Sequence, residues 1–369
     1  MQPTEVSGSL PVLDMVSLLE KEPGIVPMDD FFSDIRLVQL ETSDEILINA
    51  IRNVYLYRDL IYTIHDNFIS VFDQEGHFIR HISGRGGGPM EFVNQPNKLA
   101  FINDHIIIND NSGKRILLFT LEGEYVNSFK VNKQLANIQM IGNDLLAGSI
   151  SNVSGSETIC LQFYDLEGNL VDSVRYMDKY RTENFKFAFS FGVSGSFTRD
   201  GENIHFKDIF NDTIYRISDA FEMHPAYVVN LGKRSPDIQQ VFKAEAFEDF
   251  FKVTEDKVKH ELFYEDSTRL ILKEPKDKYF LWDKIKNKME YVRFRYNDEM
   301  LANFSKKVYE QRFHSTAVVS VKSQTVTIDN SQPTFTARSI SEDNQFFIGT
   351  ETPANEIDNP IVVLARIRK

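Results

Sequence analysis

Asp73-Gln74-Glu75-Gly76, Leu121-Glu122-Gly123 and Asp165-Leu166-Glu167-Gly168 are the stretches that decide the fold of this chain. Their glycines stand at positions 76, 123 and 168, which are 47 and 45 residues apart, and a glutamate precedes each of them. An aromatic residue lies four positions before each glycine, and apolar residues lie two, three and six positions after it. One short pattern therefore recurs three times at a nearly constant period.

Each repeat predicts a β-hairpin. A glycine with positive φ in a tight turn, between two alternating apolar runs, is typical of that motif. A hairpin every 45 or so residues implies one multi-stranded unit per repeat, which is the spacing of propeller blades. The predicted fold class is therefore all-β, with the architecture of a β-propeller.

The number of blades depends on two helical insertions. About 340 residues divided by a period near 46 would give about seven blades, and removing roughly 35 to 40 inserted residues brings six within reach. The first insertion is predicted near residues 235–251, where Ser235-Pro236-Asp237 supplies a helix start and apolar residues follow at helical spacing. The second is predicted near residues 297–310.

The two ends of the chain are predicted to close the ring. Residues 1–30 contain several prolines and are expected to be irregular, whereas residues 31–369 are expected to form a single propeller domain. The strand Ile35–Leu40 has no earlier hairpin partner, and the strand Ile361–Ile367 has no later one. Pairing them would complete the last blade and remove exposed sheet edges.

Composition excludes some classes of function. The chain of 369 residues has 54 acidic and 41 basic side chains, for a formal net charge of −13. Because there is no basic stripe to neutralise phosphates, nucleic-acid binding is not expected. The single Cys160 cannot form an internal disulfide and is predicted to be a buried apolar residue. No apolar run is long enough to span a membrane, and the start of the chain has no pattern of an export signal.

Several segments resemble the NHL-like, six-bladed β-propeller lipoproteins of unknown function that occur in Bacteroides and its relatives. The residues that carry the resemblance are Ile106–Phe119 with Glu122-Gly123, Gly84–Phe92 followed by Pro96, Leu37–Thr42, Asn211–Arg216 and Ile328–Phe335. The resemblance implies export and a lipid anchor on an N-terminal cysteine. No cysteine stands near the start of this sequence, so either the segment with the anchoring cysteine was removed or this part of the implication does not hold.

The glycine-rich segment Gly84–Gly88 is the first candidate binding site. It lacks the spacing of a nucleotide-binding G-x-G-x-x-G loop, since Pro89 stands where the third glycine is needed. Two interpretations stay open. Backbone N–H groups and Arg85 could bind an anion, or the glycines could permit a tight crossover while Arg85 joins neighbouring blades. The predicted ligand-binding residues are Arg85, Gly86, Gly87, Glu91 and Asp110.

Metal-binding and catalytic signatures do not stand out. Asp110-Asn111-Ser112-Gly113 lacks the frame of a calcium loop and is typical of a turn between strands. The eight histidines form no zinc-binding motif, and there is no serine-hydrolase elbow. No cofactor, metal ligand or catalytic residue is therefore assigned. A calcium or zinc ion in the central channel, with ligands spread over several blades, stays open because sequence spacing would hide it.

These observations favour a non-enzymatic function. The predicted propeller presents one loop face as a binding or scaffolding surface for a protein or a glycan, as a monomer. The resemblance places it outside the cytoplasm, in the periplasm or at the cell surface. The alternative is a metal-assisted enzyme of the lactonase or lyase type, which some related propellers are, with its site in the central channel.

Overall fold

The computed structural model describes most of the chain, which forms two compact units. Unit 1 comprises residues 1–23 and 129–291, and unit 2 comprises residues 24–128 and 292–369. The described residues are 10–152, 157–176, 195–209, 211–241, 243–244, 246–274, 277–304, 334–341, 343–355 and 357–368. The predicted single domain over residues 31–369 stays a prediction, and each unit is described by itself.

Three blades belong mainly to unit 2, and each is an antiparallel sheet of four strands. Blade 1 contains β4 (Ile51–Tyr57), β5 (Leu60–His65), β6 (Phe68–Phe72) and β7 (Phe78–Gly84). Blade 2 contains β8 (Leu99–Ile102), β9 (His105–Asp110), β10 (Arg115–Thr120) and β11 (Tyr125–Lys130). Blade 6 contains β25 (Ala337–Ile340), β26 (Phe346–Glu351), β27 (Ile361–Ile367) and β3 (Phe32–Gln39).

The other three blades belong mainly to unit 1. Blade 3 contains β12 (Asn137–Ile141), β13 (Leu145–Ser149), β14 (Ile159–Asp165) and β15 (Leu170–Arg175). Blade 4 contains β16 (Ser196–Asp200), β17 (Asn203–Lys207), β18 (Thr213–Ile217) and β19 (Met223–Asn230). Blade 5 contains β20 (Glu261–Glu265), β21 (Arg269–Lys273), β22 (Tyr279–Asp283) and β23 (Lys288–Arg295). The six sheets have the arrangement of a six-bladed β-propeller, which confirms the predicted fold class.

The three signature glycines occupy equivalent turns, as their period predicts. Gly76, Gly123 and Gly168 each join the third strand of a blade to the fourth, with φ of 92°, 90° and 94°. Each turn also lies against the fourth strand of the preceding blade. A Cβ atom at position 76 would overlap the carbonyl group of Gln39, one at position 168 would overlap Phe129, and one at position 123 would lie 3.3 Å from Ile82. Glycine is therefore required both by the backbone and by the neighbouring blade.

The predicted closure is also present. β3 pairs with β27 in antiparallel register from Ile361 opposite Gln39 to Ile367 opposite Phe32, so a strand from the start of the chain is the outermost strand of the last blade. The prediction that residues 1–30 are irregular is wrong within the described part. β1 (Val12–Asp14) and β2 (Gly24–Pro27) add in parallel to β19 and β23, and α1 (Met28–Phe31) follows. Strands of three or four residues are too short to show a periodic pattern, and their partner strands are distant in sequence.

The helical insertions differ in detail from the prediction. The segment near 235–251 forms two short helices, α2 (Ile238–Val241) and α3 (Phe247–Thr254), after a 3₁₀ turn at Gly232–Arg234. Asp237 rather than Ser235 accepts the backbone N–H of Gln240 at the start of α2. The second insertion begins with α4 (Asp298–Leu301), capped by the Asn297 side chain, and residues 305–310 lie outside the described residues. β24 (Thr334–Phe335) then pairs with β23.

The apolar cores lie between consecutive blades. In unit 2, Tyr62, Leu99 and Phe119 belong to a cluster shared by blades 1 and 2, and blades 6 and 1 share another. In unit 1, one cluster joins blades 3 and 4, and a second joins blades 4 and 5 with Leu13 and Met15 of the N-terminal segment. Where blades share these clusters, the second and third strands are buried along nearly their whole length, as β9, β10 and β14 show.

Candidate functional site

Unit 2 exposes apolar side chains at one end of its strands. Because adjacent strands are antiparallel, the loop between the second and third strands and the crossing to the next blade leave a blade at the same end. We call this end of the unit 2 strands the crossing end. Its exposed apolar residues are Leu47, Phe68, Met90, Val93 and Ile357, and Ile357 is 78% exposed.

The turns at the other end of the unit 2 strands are different. They are formed by Arg58-Asp59, Asp73–His77, Asn103-Asp104 and Leu121–Glu124, and by 341–345. None of their described residues is an exposed large hydrophobic, and Leu121 is buried. The other exposed large hydrophobics of the described part of unit 2, Ile25, Ile79 and Val126, lie on β2, β7 and β11. The asymmetry therefore concerns the loops, and it makes the crossing end a candidate interaction surface.

The predicted site residue Arg85 lies at the crossing end and is exposed. Its backbone N–H donates to the carbonyl oxygen of Asn67 at 2.8 Å, and its side-chain Nε donates to that of Val93 at 3.3 Å. Residues Arg85 and Phe92 also form an isolated parallel bridge. The loop is therefore pinned at its base, while the guanidinium group stays accessible.

The segment with the predicted anion-binding amides already holds a carboxylate of the same chain. The Glu91 carboxylate accepts the backbone N–H of Gly88 at 2.7 Å, and a Cβ atom at position 86 would overlap that carboxylate. The backbone N–H of Gly86 donates to the carbonyl oxygen of Phe92. A Cβ atom at Gly87 would meet nothing within 4 Å. Glu91 therefore organises the loop from within.

Asp110 anchors the same loop from blade 2. Its buried carboxylate accepts the backbone N–H groups of Val93 and Gly113, at 3.3 and 3.1 Å, and the Nε of Arg115 at 2.9 Å. Arg115 in turn donates to the carbonyl oxygen of Glu91. The structure thus brings all five predicted residues together in one loop cluster. Their role in ligand binding stays a prediction.

Unit 1 contains a second group of polar residues that sequence patterns did not single out. Lys207 ends β17 and is 1% exposed, and its Nζ donates to the carbonyl oxygen of Asp208 at 3.1 Å. Burial lowers the pKa of Lys207 to about 8, although the charges of Asp212 and Asp208 act in the opposite direction. His260 immediately precedes β20 and is 4% exposed. Burial, and then the charge of Lys207, hold the pKa of His260 well below its ordinary value.

A third group surrounds the buried carboxylate of Glu265, at the end of β20. One oxygen accepts the Nζ of Lys284 at 2.8 Å and the hydroxyl of Tyr227 at 3.2 Å. The other accepts the hydroxyl of Thr198 at 2.9 Å and lies 2.8 Å from Nδ1 of His205. Burial opposes the charge of Glu265, but the contacts with His205 and Lys284 outweigh it and lower its pKa. Because residues of both blades hold this carboxylate, the network is a structural link between blades 4 and 5.

Metal ligands do not converge in the part of the chain that the structure describes. No group of three or more histidine, cysteine or acidic side chains there has the geometry to hold a metal ion. Cys160 is buried, and burial raises the pKa of its thiol. Among the described helices, none is long and apolar enough to cross a membrane. The metal-assisted alternative is supported by no specific observation in these residues.

A family model for a domain of unknown function, DUF4934, matches residues 10–366. The chain belongs to this family. The match covers all six blades and both N-terminal strands. No curated protein matches the DUF4934 chain.

Solved structures similar to the DUF4934 protein share its fold. A Bacteroides fragilis protein assigned as exported has a TM-score of 0.64 at 13% identity, covering 97% of this chain and 99% of its own. A DUF4221 family member from Bacteroides vulgatus has a TM-score of 0.54 at 9% identity, covering 91% and 97%. A virginiamycin B lyase from Staphylococcus aureus has a TM-score of 0.46 at 12% identity, covering 90% and 99%. The two Bacteroides likenesses support the propeller architecture, while the predicted NHL character and lipid anchor stay predictions.

Lys207 and His260 were missed because their sequence context is ordinary. Each lies at the edge of an alternating strand, where a polar residue normally marks the start of a loop. The sequence offered one weak indication of this site. A lysine ends the apolar run of β17, at a position where the strand is buried. The insertion between blades 4 and 5 packs at this end, since Val241 and Phe250 contact Ile209 of the loop that follows Lys207.

Proposed function

We propose that this DUF4934 propeller is a non-enzymatic binding module that presents the crossing end of unit 2 to a protein partner. The observation that carries the proposal is that the described loops at that end expose four apolar side chains, with Phe68 at the start of β6, whereas the described turns at the other end expose none. Exposed apolar residues gathered on one surface and rimmed by polar groups are typical of protein interaction sites. Arg85 supplies an exposed guanidinium beside Met90 and Val93 in sequence, and arginine is enriched at the centres of such interfaces.

The chemistry of the surface favours a protein over a glycan. Four of its five exposed apolar residues are aliphatic: Leu47, Met90, Val93 and Ile357. Aliphatic side chains bury well against the apolar side chains of another protein. Sugar rings, in contrast, have few apolar faces and pack best on flat aromatic rings. Among the described residues of this end, Phe68 is the one exposed phenylalanine. A glycan ligand would be an alternative outcome of the test below.

The proposed location is outside the cytoplasm. It is supported by the resemblance to Bacteroides lipoproteins and by the exported assignment of the similar Bacteroides fragilis structure. Cell fractionation of the native protein, with and without protease treatment of intact cells, would test this location. Recovery in the cytoplasmic fraction would contradict it.

The binding surface has a matched control in the chain. Ile357 and Ile285 are 78% and 76% exposed, but Ile357 lies at the crossing end whereas Ile285 lies in the turn between β22 and β23. A photo-crosslinking amino acid would replace each isoleucine in turn, in the source cells. We expect a discrete protein adduct from position 357 that is lost when Leu47→Ser and Met90→Ser are added. Equal adducts from both positions, or an adduct only with glycan, would contradict the proposal.

A further inference from the structure

The structure assigns a second, buried site to unit 1: we propose that Lys207 and His260 together bind a small carboxylate anion. This site goes beyond the proposed protein-binding surface, and it rests on different residues. The two residues lie at the same end of blades 4 and 5, since Lys207 is the last residue of the second strand of blade 4 and His260 precedes the first strand of blade 5. Lys207 also lies close enough to His260 for its charge to act on the imidazole ring.

The first argument is hydrogen bonding. The Lys207 ammonium has three N–H donors, and within the described part of the chain one of them is used, by the carbonyl oxygen of Asp208. Neither ring nitrogen of His260 has a hydrogen-bond partner in the described part of the chain. Buried donors and acceptors are normally paired, because leaving them unpaired costs free energy. Two such residues beside each other therefore indicate a ligand that completes their bonds.

The second argument is charge. A buried ammonium is tolerated when an anion compensates it, and a methionine in its place would pack without any desolvation cost. The protein supplies no direct ion pair to Lys207 among the described carboxylates, in contrast to Lys284, which lies 2.8 Å from Glu265. Lys207 thus lowers stability where it stands, as residues of binding sites often do.

The charges near the site select the kind of anion. Asp208 and Asp212 both act on Lys207 electrostatically, so their negative charge opposes a dianion such as phosphate. A carboxylate carries a single charge and two acceptor oxygens, which suit one N–H of Lys207 and one of a neutral His260. The second ring nitrogen of His260 is an acceptor, and it fits a ligand that also carries a hydroxyl or amide donor.

Acetate is the simplest probe for this site. With four non-hydrogen atoms its dissociation constant cannot be much tighter than roughly 40 µM, so millimolar concentrations are needed. Melting temperatures would be measured in sodium acetate, chloride and phosphate at equal ionic strength and pH. We expect acetate alone to raise the melting temperature of the native protein, in proportion to its occupancy.

Variants separate the site from general salt effects. Lys207→Met and His260→Phe should abolish the acetate response, and Lys207→Met should melt higher than the native protein in chloride. Lys233→Met removes the same charge from an exposed position of the 3₁₀ turn and should keep the full response. Equilibrium dialysis with labelled acetate should give one bound anion per native chain and at least about tenfold weaker binding to Lys207→Gln.

Three results would overturn the proposal. Acetate could fail to stabilise or bind the native protein, or it could stabilise Lys207→Met as much as the native protein. A larger effect of phosphate than of acetate would contradict the choice of a monoanion. If Lys207→Met does not fold, dialysis on the native protein and on Lys207→Gln still decides between these outcomes. None of them bears on the crosslinking result at Ile357, so the two proposals fail separately.

Discussion

At the scale of single residues, the turn glycines are the clearest link between sequence and stability. Gly168 has a φ of 94°, and a side chain there would overlap Phe129 of the preceding blade. Gly201 has a φ of 60°, and a side chain there would meet nothing within 4 Å. The two glycines therefore share a left-handed backbone but differ in their surroundings.

This pair makes a direct prediction. Gly201→Ala should cost about 1 kcal/mol, because only the left-handed conformation of a non-glycine residue is involved. Gly168→Ala should cost roughly 1–3 kcal/mol more, because Phe129 must also move. Urea unfolding of the two variants would measure the difference. Equal losses of stability would show that the contact between blades relaxes freely.

At the scale of structural elements, a buried polar network joins particular strands of blades 4 and 5. The apolar pattern alone does not distinguish these strands from their neighbours. The Glu265 carboxylate in β20 of blade 5 contacts His205 in β17 and Thr198 in β16 of blade 4. Lys284, after β22, neutralises it from within blade 5. The network thereby specifies which residues of the two blades face each other.

Removing the charge at the centre of this network should be costly. Glu265→Gln is expected to lower the free energy of unfolding by about 3 kcal/mol, since Lys284 would keep only its longer contact with Asp200 and His205 would lose its carboxylate partner. Adding Lys284→Met should restore part of the loss. Glu290→Gln, which breaks the exposed ion pair with Lys288 on β23, is the control and should change little. A loss for Glu265→Gln no larger than that for the control would contradict the role given to the network.

At the scale of the whole molecule, the start of the chain contributes strands to three blades. β3 completes blade 6, while β1 and β2 extend blades 4 and 5. The sheet edges of these blades are therefore covered by non-local pairing.

Two truncations distinguish these contributions. Deleting residues 1–20 removes β1 together with buried Leu13, Met15 and Leu19, and should lower the melting temperature while leaving a monomeric β-protein. Deleting residues 1–42 also removes β3 and uncovers the β27 edge, so we expect aggregation or failure to fold. Size-exclusion chromatography and circular dichroism would compare them. A monomeric, cooperatively folding product from the longer deletion would contradict the role of β3.

The amino-acid sequence by itself determined the repeat, the six-bladed architecture and the closure by the first and last strands. These features depend on local periodicity and on glycines whose positive φ is required within a few residues, so a linear pattern records them. Tertiary structure decided the rest. β1 and β2 form only because strands 216 and 268 residues away offer an edge, as Val12 opposite Val228 and Gly24 opposite Val292 show. The Glu91 carboxylate accepts the amide N–H of Gly88 only because the loop folds back on itself. Lys207 and His260 meet through packing between blades 4 and 5, where burial rather than sequence spacing sets their chemistry.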